Sequence, residues 1–289
     1  MNYSIANEEL SVKVCDAGAA IISIKKNNKE YFRRSFDVLD GWAFNLFPII
    51  GRLNQGIYTY KGKTYKMRRN GFLHWVEFDL VKREQDLISF EFKYNDYTLE
   101  MYPFKFLFGV TYKLIKNIIE IEYSVDNLDD KPIYFSIGAK PGFIVPISYG
   151  LNFEDYYVKF SEPKSIFKLE LNSSYFLSGK VTPFELQEGR ILPLSHRLFD
   201  NDALIFGSAS RSISLESNLD PKKVKISYPD MPYIALWKTP KTSAPFLCIE
   251  PWAGLPSHSF KIDDIESKRG VIRLNQKQEY KNYWSIEIN

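Results

Sequence analysis

The stretch LISFEFKY, residues 87–94, alternates apolar and polar side chains from its second position onward. Strict alternation sends successive side chains to opposite faces, which is typical of a β-strand with one buried face. The same period recurs in IEIEYSV, residues 119–125, and in VKISY, residues 224–228. These stretches predict a protein built from half-buried strands.

Turn signals separate the predicted strands. In YTYKGKTY, residues 58–65, the Lys61-Gly62 pair predicts a hairpin turn between two arms rich in Tyr and Thr. The clusters KNNK, residues 26–29, and NLDDKP, residues 127–132, are expected to separate other strand pairs in the same way. No long window combines helical periodicity with a cap, so few short helices are expected. We predict an all-β fold, a single large antiparallel β-sandwich over residues 1–289, with two β domains as the alternative.

Composition excludes several classes of function. The 289 residues include 22 Phe and 19 Tyr, which favour strands, and the net charge is only +3 with scattered basic residues, so a nucleic-acid partner is disfavoured. Cys15 and Cys248 show no metal-like spacing, and no metal site is expected. The chain begins without a cationic and apolar leader and has no run of about 20 apolar residues. We expect a cytoplasmic protein that does not enter a membrane.

Four segments carry polar residues that strand patterning does not explain. Arg52 follows an apolar run and a glycine, so its guanidinium either reaches solvent or meets a carboxylate or polar ligand. The pair Asn70-Gly71 predicts a turn before it suggests a ligand contact. Lys140 interrupts the apolar, Gly/Pro-rich stretch FSIGAKPGF, residues 135–143. Each of these residues is a candidate for a ligand site.

The fourth segment ends an apolar run with Glu250, just before Trp252. Burial raises the pKa of such a carboxyl group and suits it to general acid or base catalysis. A structural ion pair across the sheet is the equally weighted alternative. If the strand continues past Pro251, Trp252 faces the same way as Glu250 and could stack on a sugar ring or pack in the core.

Five ordered segments together resemble the aldose 1-epimerases (galactose mutarotases), most closely the LacX-like branch. The resemblance covers nearly the whole chain and rests on FPIIGRL (47–53), NGFLHW (70–75), FSIGAKPGF (135–143), LFDNDALIF (198–206) and APFLCIEPWAGLPS (244–257). It implies a large antiparallel β-supersandwich, a small-molecule sugar as ligand and no cofactor. In this family a glutamate removes the anomeric proton, a histidine protonates the ring oxygen, and the ring opens and recloses.

The resemblance assigns roles to individual residues. Glu250 matches the catalytic base and Arg52 a substrate-binding arginine. The substrate-binding aspartate matches Asp202, with Asp200 as the other possible register. Both histidines of the family pattern are replaced: Asn70 stands at the position of one and Lys140 at the position of the general acid.

The three histidines of the chain are possible substitutes. His258, eight residues past Glu250, is the best candidate and is expected to bind substrate from a folded-back loop. His74 lies too far along an assumed strand, about 13 Å at ~3.3 Å per residue, and His196 is expected in a surface turn. Lys140 could itself donate a proton, or it could form an ion pair with Glu250 that weakens catalysis.

Three hypotheses follow. The chain is an aldose 1-epimerase-like enzyme with an altered acid, or a catalytically inactive sugar-binding or sensing protein on the same scaffold. A structural protein with a decayed site is the third class. A variant of the first gives the enzyme an anionic sugar, because Lys140 and Arg52 would both pair with a phosphate or carboxylate. The oligomeric state is expected to be monomer or homodimer.

Overall fold

The computed structural model describes residues 1–33, 44–162, 166–207 and 210–289. Numbered in chain order, the strands of these residues are β1 (Asn2–Ala6), β2 (Leu10–Cys15), β3 (Ala20–Lys26), β4 (Lys29–Glu30), β5 (Asn45–Leu46), β6 (Ile57–Tyr60), β7 (Lys63–Lys66), β8 (Asp79–Arg83), β9 (Leu87–Lys93), β10 (Phe106–Ile115), β11 (Ile118–Asn127), β12 (Ile133–Phe135), β13 (Ile137–Ala139), β14 (Gly142–Ile144), β15 (Tyr157–Phe160), β16 (Ile166–Leu171), β17 (Leu177–Phe184), β18 (Ile191–Pro193), β19 (Leu204–Gly207), β20 (Ser212–Ser217), β21 (Asp220–Ser227), β22 (Tyr233–Trp237), β23 (Phe246–Ala253), β24 (Asp263–Asp264), β25 (Ile272–Leu274) and β26 (Glu279–Ile288).

Two large antiparallel sheets form the body of the fold. The first has nine strands in the order β18-β15-β20-β21-β26-β11-β10-β9-β8. The second has eight: β17-β16-β19-β22-β23-β13-β5, with β14 also paired to β23. Smaller sheets join β1-β2-β3-β4, β24-β6-β7 and β12-β25. The predicted all-β sandwich is therefore confirmed.

The alternating stretches lie where their period predicts. LISFEFKY supplies β9, whose phenylalanines Phe90 and Phe92 are buried while Glu91 between them is partly exposed. IEIEYSV lies inside β11, with Ile121 and Tyr123 buried. These side chains belong to one core cluster with residues from β1 through β26. The core therefore draws on both ends of the chain, and the single domain over residues 1–289 stays a prediction.

The short turns follow the predicted chemistry with one exception. Lys61 and Gly62 both have positive φ (47° and 76°), which is the geometry of a tight turn between hydrogen-bonded strands, here β6 and β7. Asn27 and Asn28 do the same between β3 and β4. The expectation for residues 127–132 is wrong in one respect, because β11 and β12 pair with other strands rather than with each other.

Helices are few in the described residues. One six-residue α-helix, Asp96–Met101, begins at Asn95, whose side chain accepts a hydrogen bond from the Thr98 amide (3.0 Å). Single-turn 3₁₀ helices are Asn54–Gly56, Leu73–Trp75, Phe153–Asp155 and His196–Phe199. The expectation of low helix content is confirmed.

Strand β23 positions the residues considered next. All of its residues are buried, so the centre of the eight-stranded sheet is covered on both faces. Leu247 and Ile249 point into the sandwich core, whereas Cys248 and Trp252 pack in separate clusters on the opposite face. Since side chains alternate along a strand, Glu250 shares the face of Cys248 and Trp252. Glu250 therefore lies outside the sandwich core.

Candidate functional site

A cavity lies on this outer face of the eight-stranded sheet. It has a volume of about 40 Å³ and adjoins a wider cavity of about 450 Å³ that shares four of its lining residues. The inner cavity is lined by Gly51, Arg52, Arg69, Asn70, Lys140, Leu171, Tyr175, Asp202, Ala203, Ile205, Trp237, Glu250, Trp252 and Pro256. Six of the residues selected from the sequence are thus brought together, although up to about 200 positions separate them in the chain.

The register of three strands places Lys140 opposite Glu250. Strand β13 pairs Gly138 with Trp252, and β14 pairs Gly142 with Cys248. Lys140 lies midway between the two pairs and therefore faces Glu250. Its Nζ donates a hydrogen bond to Glu250 Oε1 at 2.7 Å. The ion pair considered from the sequence is present.

Both partners of this ion pair are buried, and burial dominates the electrostatics of Glu250. Lys140 is 7% exposed and Glu250 2% exposed. Loss of water raises the pKa of Glu250 above its usual value, and the charges of Lys140 and Arg69 oppose this rise only in part. Burial also raises the pKa of the neighbouring Cys248 thiol to about 12, so Cys248 stays an unreactive thiol at neutral pH.

Trp237, which is not among the residues selected from the sequence, connects the ion pair to Asp202. The Lys140 Nζ lies 3.9 Å from the centroid of the Trp237 ring, and the Trp237 Nε1 donates to Asp202 Oδ1 at 2.5 Å. Trp237 ends strand β22, in which Ala235 pairs with Glu250. Because side chains two positions apart on a strand share a face, Trp237 lies on the same face as Ala235, the partner of Glu250. Its aromatic character and this spacing were the only signals in the sequence that could have identified it.

The two candidate aspartates separate clearly. Asp202 lines the inner cavity and has a positive φ of 75°, whereas Asp200 lines only the wider one. Trp252 also lines the inner cavity, because β23 continues through Pro251 to Ala253. Its indole is 4% exposed, and it packs in the apolar cluster beneath the site.

Asn70 is held by backbone contacts. Its Oδ1 accepts a hydrogen bond from the Gly51 amide at 2.8 Å, and its own amide donates to the Gly51 carbonyl at 2.9 Å. Asn70 and Gly71 both have positive φ (62° and 79°), as expected for a turn. A side chain at Gly71 would lie 1.9 Å from the Phe47 carbonyl oxygen, so only glycine fits there.

Two arginines reach the cavity from this region. Arg52, adjacent to Gly51, stacks over the Tyr175 ring at 5.2 Å. Arg69, adjacent to Asn70, was not identified from the sequence, where it is one of two consecutive arginines. Arg68 beside it is exposed and stacks instead on Trp75 (4.8 Å).

The three histidines lie outside the cavity lining. His258 Nδ1 is 3.2 Å from the Leu177 carbonyl oxygen, so the loop after β23 does not deliver the imidazole to the cavity as expected. His74 lies in a 3₁₀ helix rather than on a strand, because the positive φ angles before it redirect the chain. His196 is partly buried and stacks on Phe153 (4.4 Å) instead of projecting from a surface turn.

The described part of the chain contains neither a metal-binding cluster nor a membrane-spanning helix. No group of three or more His, Cys, Asp or Glu side chains there is arranged to hold a metal ion. No helix of those residues is long and apolar enough to cross a membrane.

The chain matches known proteins over its length. A family model described as aldose 1-epimerase matches residues 1–273. Protein LacX of Lactococcus lactis subsp. lactis, in its plasmid and chromosomal forms, is 32% identical over 100% of this chain and 99% of the relative. A galactose mutarotase related enzyme from Lactobacillus acidophilus superposes with a TM-score of 0.94 at 30% identity, covering 100% of this chain and 97% of that one. A galactose mutarotase-like protein from Lactobacillus casei has a TM-score of 0.94 at 27% identity, with 100% of both chains covered.

Proposed function

The chain belongs to the aldose 1-epimerase family, and from this premise we propose that it binds a hexose or hexose derivative in the cavity around Glu250 and interconverts its anomers. The observation that carries the proposal is the buried contact of 2.7 Å between Lys140 and Glu250. It places one proton donor and one proton acceptor together in a cavity shielded from water. Ring opening removes a proton from O1 and adds one to O5, so an acid and a base positioned together accelerate it.

Glu250 acts as the general base in this proposal. Only its Oε1 accepts the Lys140 hydrogen bond, so Oε2 keeps lone pairs to accept the proton of the anomeric hydroxyl. A carboxyl group with a raised pKa binds that proton more readily than an exposed one. The ion pair therefore orients the base without using up both of its oxygens.

Lys140 acts as the general acid. An ammonium group has three N–H donors, and Glu250 Oε1 takes one of them. Another can reach the ring oxygen of a bound pyranose. As Glu250 removes the O1 proton, the C1–O5 bond breaks, its electron pair goes to O5, and Lys140 supplies the proton. The open-chain aldehyde then rotates about C1–C2 and closes again by the reverse steps.

Charge balance favours this pair in a buried site. The sugar gains and loses one proton, Glu250 becomes a neutral acid, and Lys140 becomes a neutral amine. A buried site disfavours separated charges, so the neutral pair is less costly here than in water. Ring closure by the reverse steps returns a proton from Glu250 to O1 and from O5 to Lys140, so both groups end each turnover in their starting protonation states.

Other cavity residues hold the sugar in the proposal. Asp202, held by the hydrogen bond from the Trp237 indole, accepts hydrogen bonds from sugar hydroxyls, and Arg52 donates hydrogen bonds to sugar oxygens. Trp252 supplies an apolar surface for one face of the ring. Asn70 acts mainly through its bond to Gly51, since its side-chain oxygen is already occupied.

The same ion pair favours a second candidate, a sugar-binding or sensing protein without turnover. In the resting state the ammonium and carboxylate neutralise each other, which lowers the reactivity of both groups. In that case sugars bind in the cavity and their anomers exchange no faster than in buffer.

Polarimetry on freshly dissolved α-glucose and α-galactose distinguishes the two candidates. The wild-type protein should accelerate the approach to equilibrium, and Glu250→Gln should lose about 10²–10⁴-fold of that acceleration. Glu122→Gln, on the nine-stranded sheet and paired with Lys281, is the matched control and should leave the rate unchanged. Binding of hexose without any acceleration would establish the second candidate instead.

A further inference from the structure

The charged side chains of the inner cavity are not matched in number. Three are cationic (Arg52, Arg69 and Lys140) and two are anionic (Asp202 and Glu250). Glu250 forms an ion pair with Lys140, and Asp202 accepts a hydrogen bond from the Trp237 indole. Both carboxylates therefore have partners already, and neither forms an ion pair with an arginine.

The two arginines keep their hydrogen-bonding capacity. Among the residues that the structure describes, neither Arg52 nor Arg69 forms an ion pair or a side-chain hydrogen bond. The Arg52 guanidinium carbon lies 5.2 Å from the centroid of the Tyr175 ring, a contact that occupies none of its N–H donors. Both side chains are partly exposed and line the cavity, so a ligand can reach them from the wider cavity.

Asn70 and Gly51 deliver the two arginines together. Their two reciprocal hydrogen bonds (2.8 and 2.9 Å) join the two segments at one point. Arg52 directly follows Gly51, and Arg69 directly precedes Asn70. Asn tolerates the positive φ of 62° that this turn requires, so it suits this position better than most residues would. The two hydrogen bonds between Asn70 and Gly51 therefore fix the spacing of the backbone positions that carry the two arginines.

We infer that the arginine pair binds an anionic substituent, a phosphate monoester or a carboxylate, on the sugar that occupies the cavity. Arginine recognises both groups through paired N–H donors, and two arginines can enclose one such group. The inference rests on the proposed sugar-binding function and specifies its substrate class. It makes Arg69 a substrate-binding residue and Asn70 a positioning residue.

Calorimetric titration tests this directly. Glucose, glucose 6-phosphate, glucuronate and inorganic phosphate are titrated into the wild-type protein, Arg69→Gln, Arg68→Gln and Asn70→Gly. Wild-type protein should bind at least one charged sugar at least about 10-fold more tightly than glucose, and the preference should shrink as salt is added. The phosphate and uronate arms identify which anion is preferred.

The variants distinguish binding by the arginine pair from a general effect of positive surface charge. Arg69→Gln should lower the affinity for the preferred charged sugar about 10–100-fold and the affinity for glucose less than about 3-fold. Asn70→Gly tolerates the positive φ but removes the side-chain hydrogen bond to Gly51. It should also lower the affinity for the charged sugar more than the affinity for glucose. Arg68→Gln removes an equal charge at the preceding position of the chain, from a side chain that is exposed and does not line the cavity, and it should change each affinity less than about 3-fold.

Failure of this inference differs from failure of the proposed function. Glucose binding as tight as that of both charged sugars, or an Arg68→Gln effect equal to that of Arg69→Gln, would overturn the inference and leave anomer interconversion standing. Selective binding of a charged sugar without any anomer interconversion would support the inference and refute the enzyme.

Discussion

Replacing Lys140 by methionine tests how strongly the buried pair contributes to stability. With an effective dielectric constant of about 20, unit charges 2.7 Å apart attract by about 6 kcal/mol. Part of this is offset because the variant no longer buries an ammonium group. Removing one partner of a buried pair typically costs 3–5 kcal/mol, and we expect a loss of about that size at pH 7.5.

The loss should depend on pH with a defined sign. Without Lys140, burial raises the folded-state pKa of Glu250 further above its unfolded value. A raised folded pKa gives stability that is complete below the unfolded pKa, about 4.3, and is lost as pH rises through the folded pKa. The deficit of the variant should therefore be small near pH 4.5 and grow by up to about 1.4 kcal/mol per pH unit toward neutral pH.

Urea unfolding followed by tryptophan fluorescence at several pH values measures this deficit. Adding Glu250→Gln to Lys140→Met removes the unpaired charge and should recover about 2 kcal/mol or more at pH 7.5. Lys82→Met is the control, since Lys82 and Glu84 form a 2.8 Å pair that is more than half exposed and should cost less than about 1 kcal/mol. Equal costs for Lys140→Met and Lys82→Met, or a deficit that does not change with pH, would mean that Lys140 does not stabilise a buried Glu250 carboxylate.

Three further predictions concern the scaffold and the site. Gly71→Ala places a methyl group 1.9 Å from a backbone oxygen and should prevent folding or lower the unfolding free energy by more than about 3 kcal/mol, whereas Gly62→Ala, with a similar φ but open space, should cost about 1 kcal/mol in the same urea titration. Trp237→Phe keeps a ring beside the ammonium but removes the donor to Asp202, and it should weaken sugar binding in calorimetry about 10-fold without a change in fold by circular dichroism. Circular dichroism should also show cooperative unfolding between about pH 10 and 12, because each buried tyrosine with a raised folded pKa loses about 1.4 kcal/mol of stabilisation per pH unit above 10, and retention of native structure at pH 12 would contradict it. The tyrosines concerned are Tyr58, Tyr102, Tyr112, Tyr123 and Tyr228.

Much of the fold could be predicted because its signals are local. The alternation in residues 87–94 and the turn at Lys61-Gly62 each act within a few positions, and each appears as expected. The wrong expectation for residues 127–132 has the opposite origin. A turn signal marks the end of a strand, but it does not reveal which strand will be its neighbour.

The site could be predicted only in part, because it depends on strand register. No local sequence signal indicates that Lys140 faces Glu250, because the two residues are 110 positions apart in the chain. Only the family resemblance assigned both of them to one site. Arg69 and Trp237 had no such resemblance to identify them. His74 was misplaced because its segment was taken as a continuing strand, whereas two positive φ angles precede a 3₁₀ helix.

The proposed function depends on proton exchange between a bound sugar and the pair of Glu250 and Lys140. The most direct test is the rate of α to β interconversion of glucose and glucose 6-phosphate at equilibrium, measured by NMR magnetisation exchange with wild-type protein and Lys140→Met. Wild-type protein should accelerate exchange of at least one of the two sugars, and folded Lys140→Met should lose about 10²-fold or more of this acceleration. Equal acceleration by the two proteins would contradict the role proposed for Lys140.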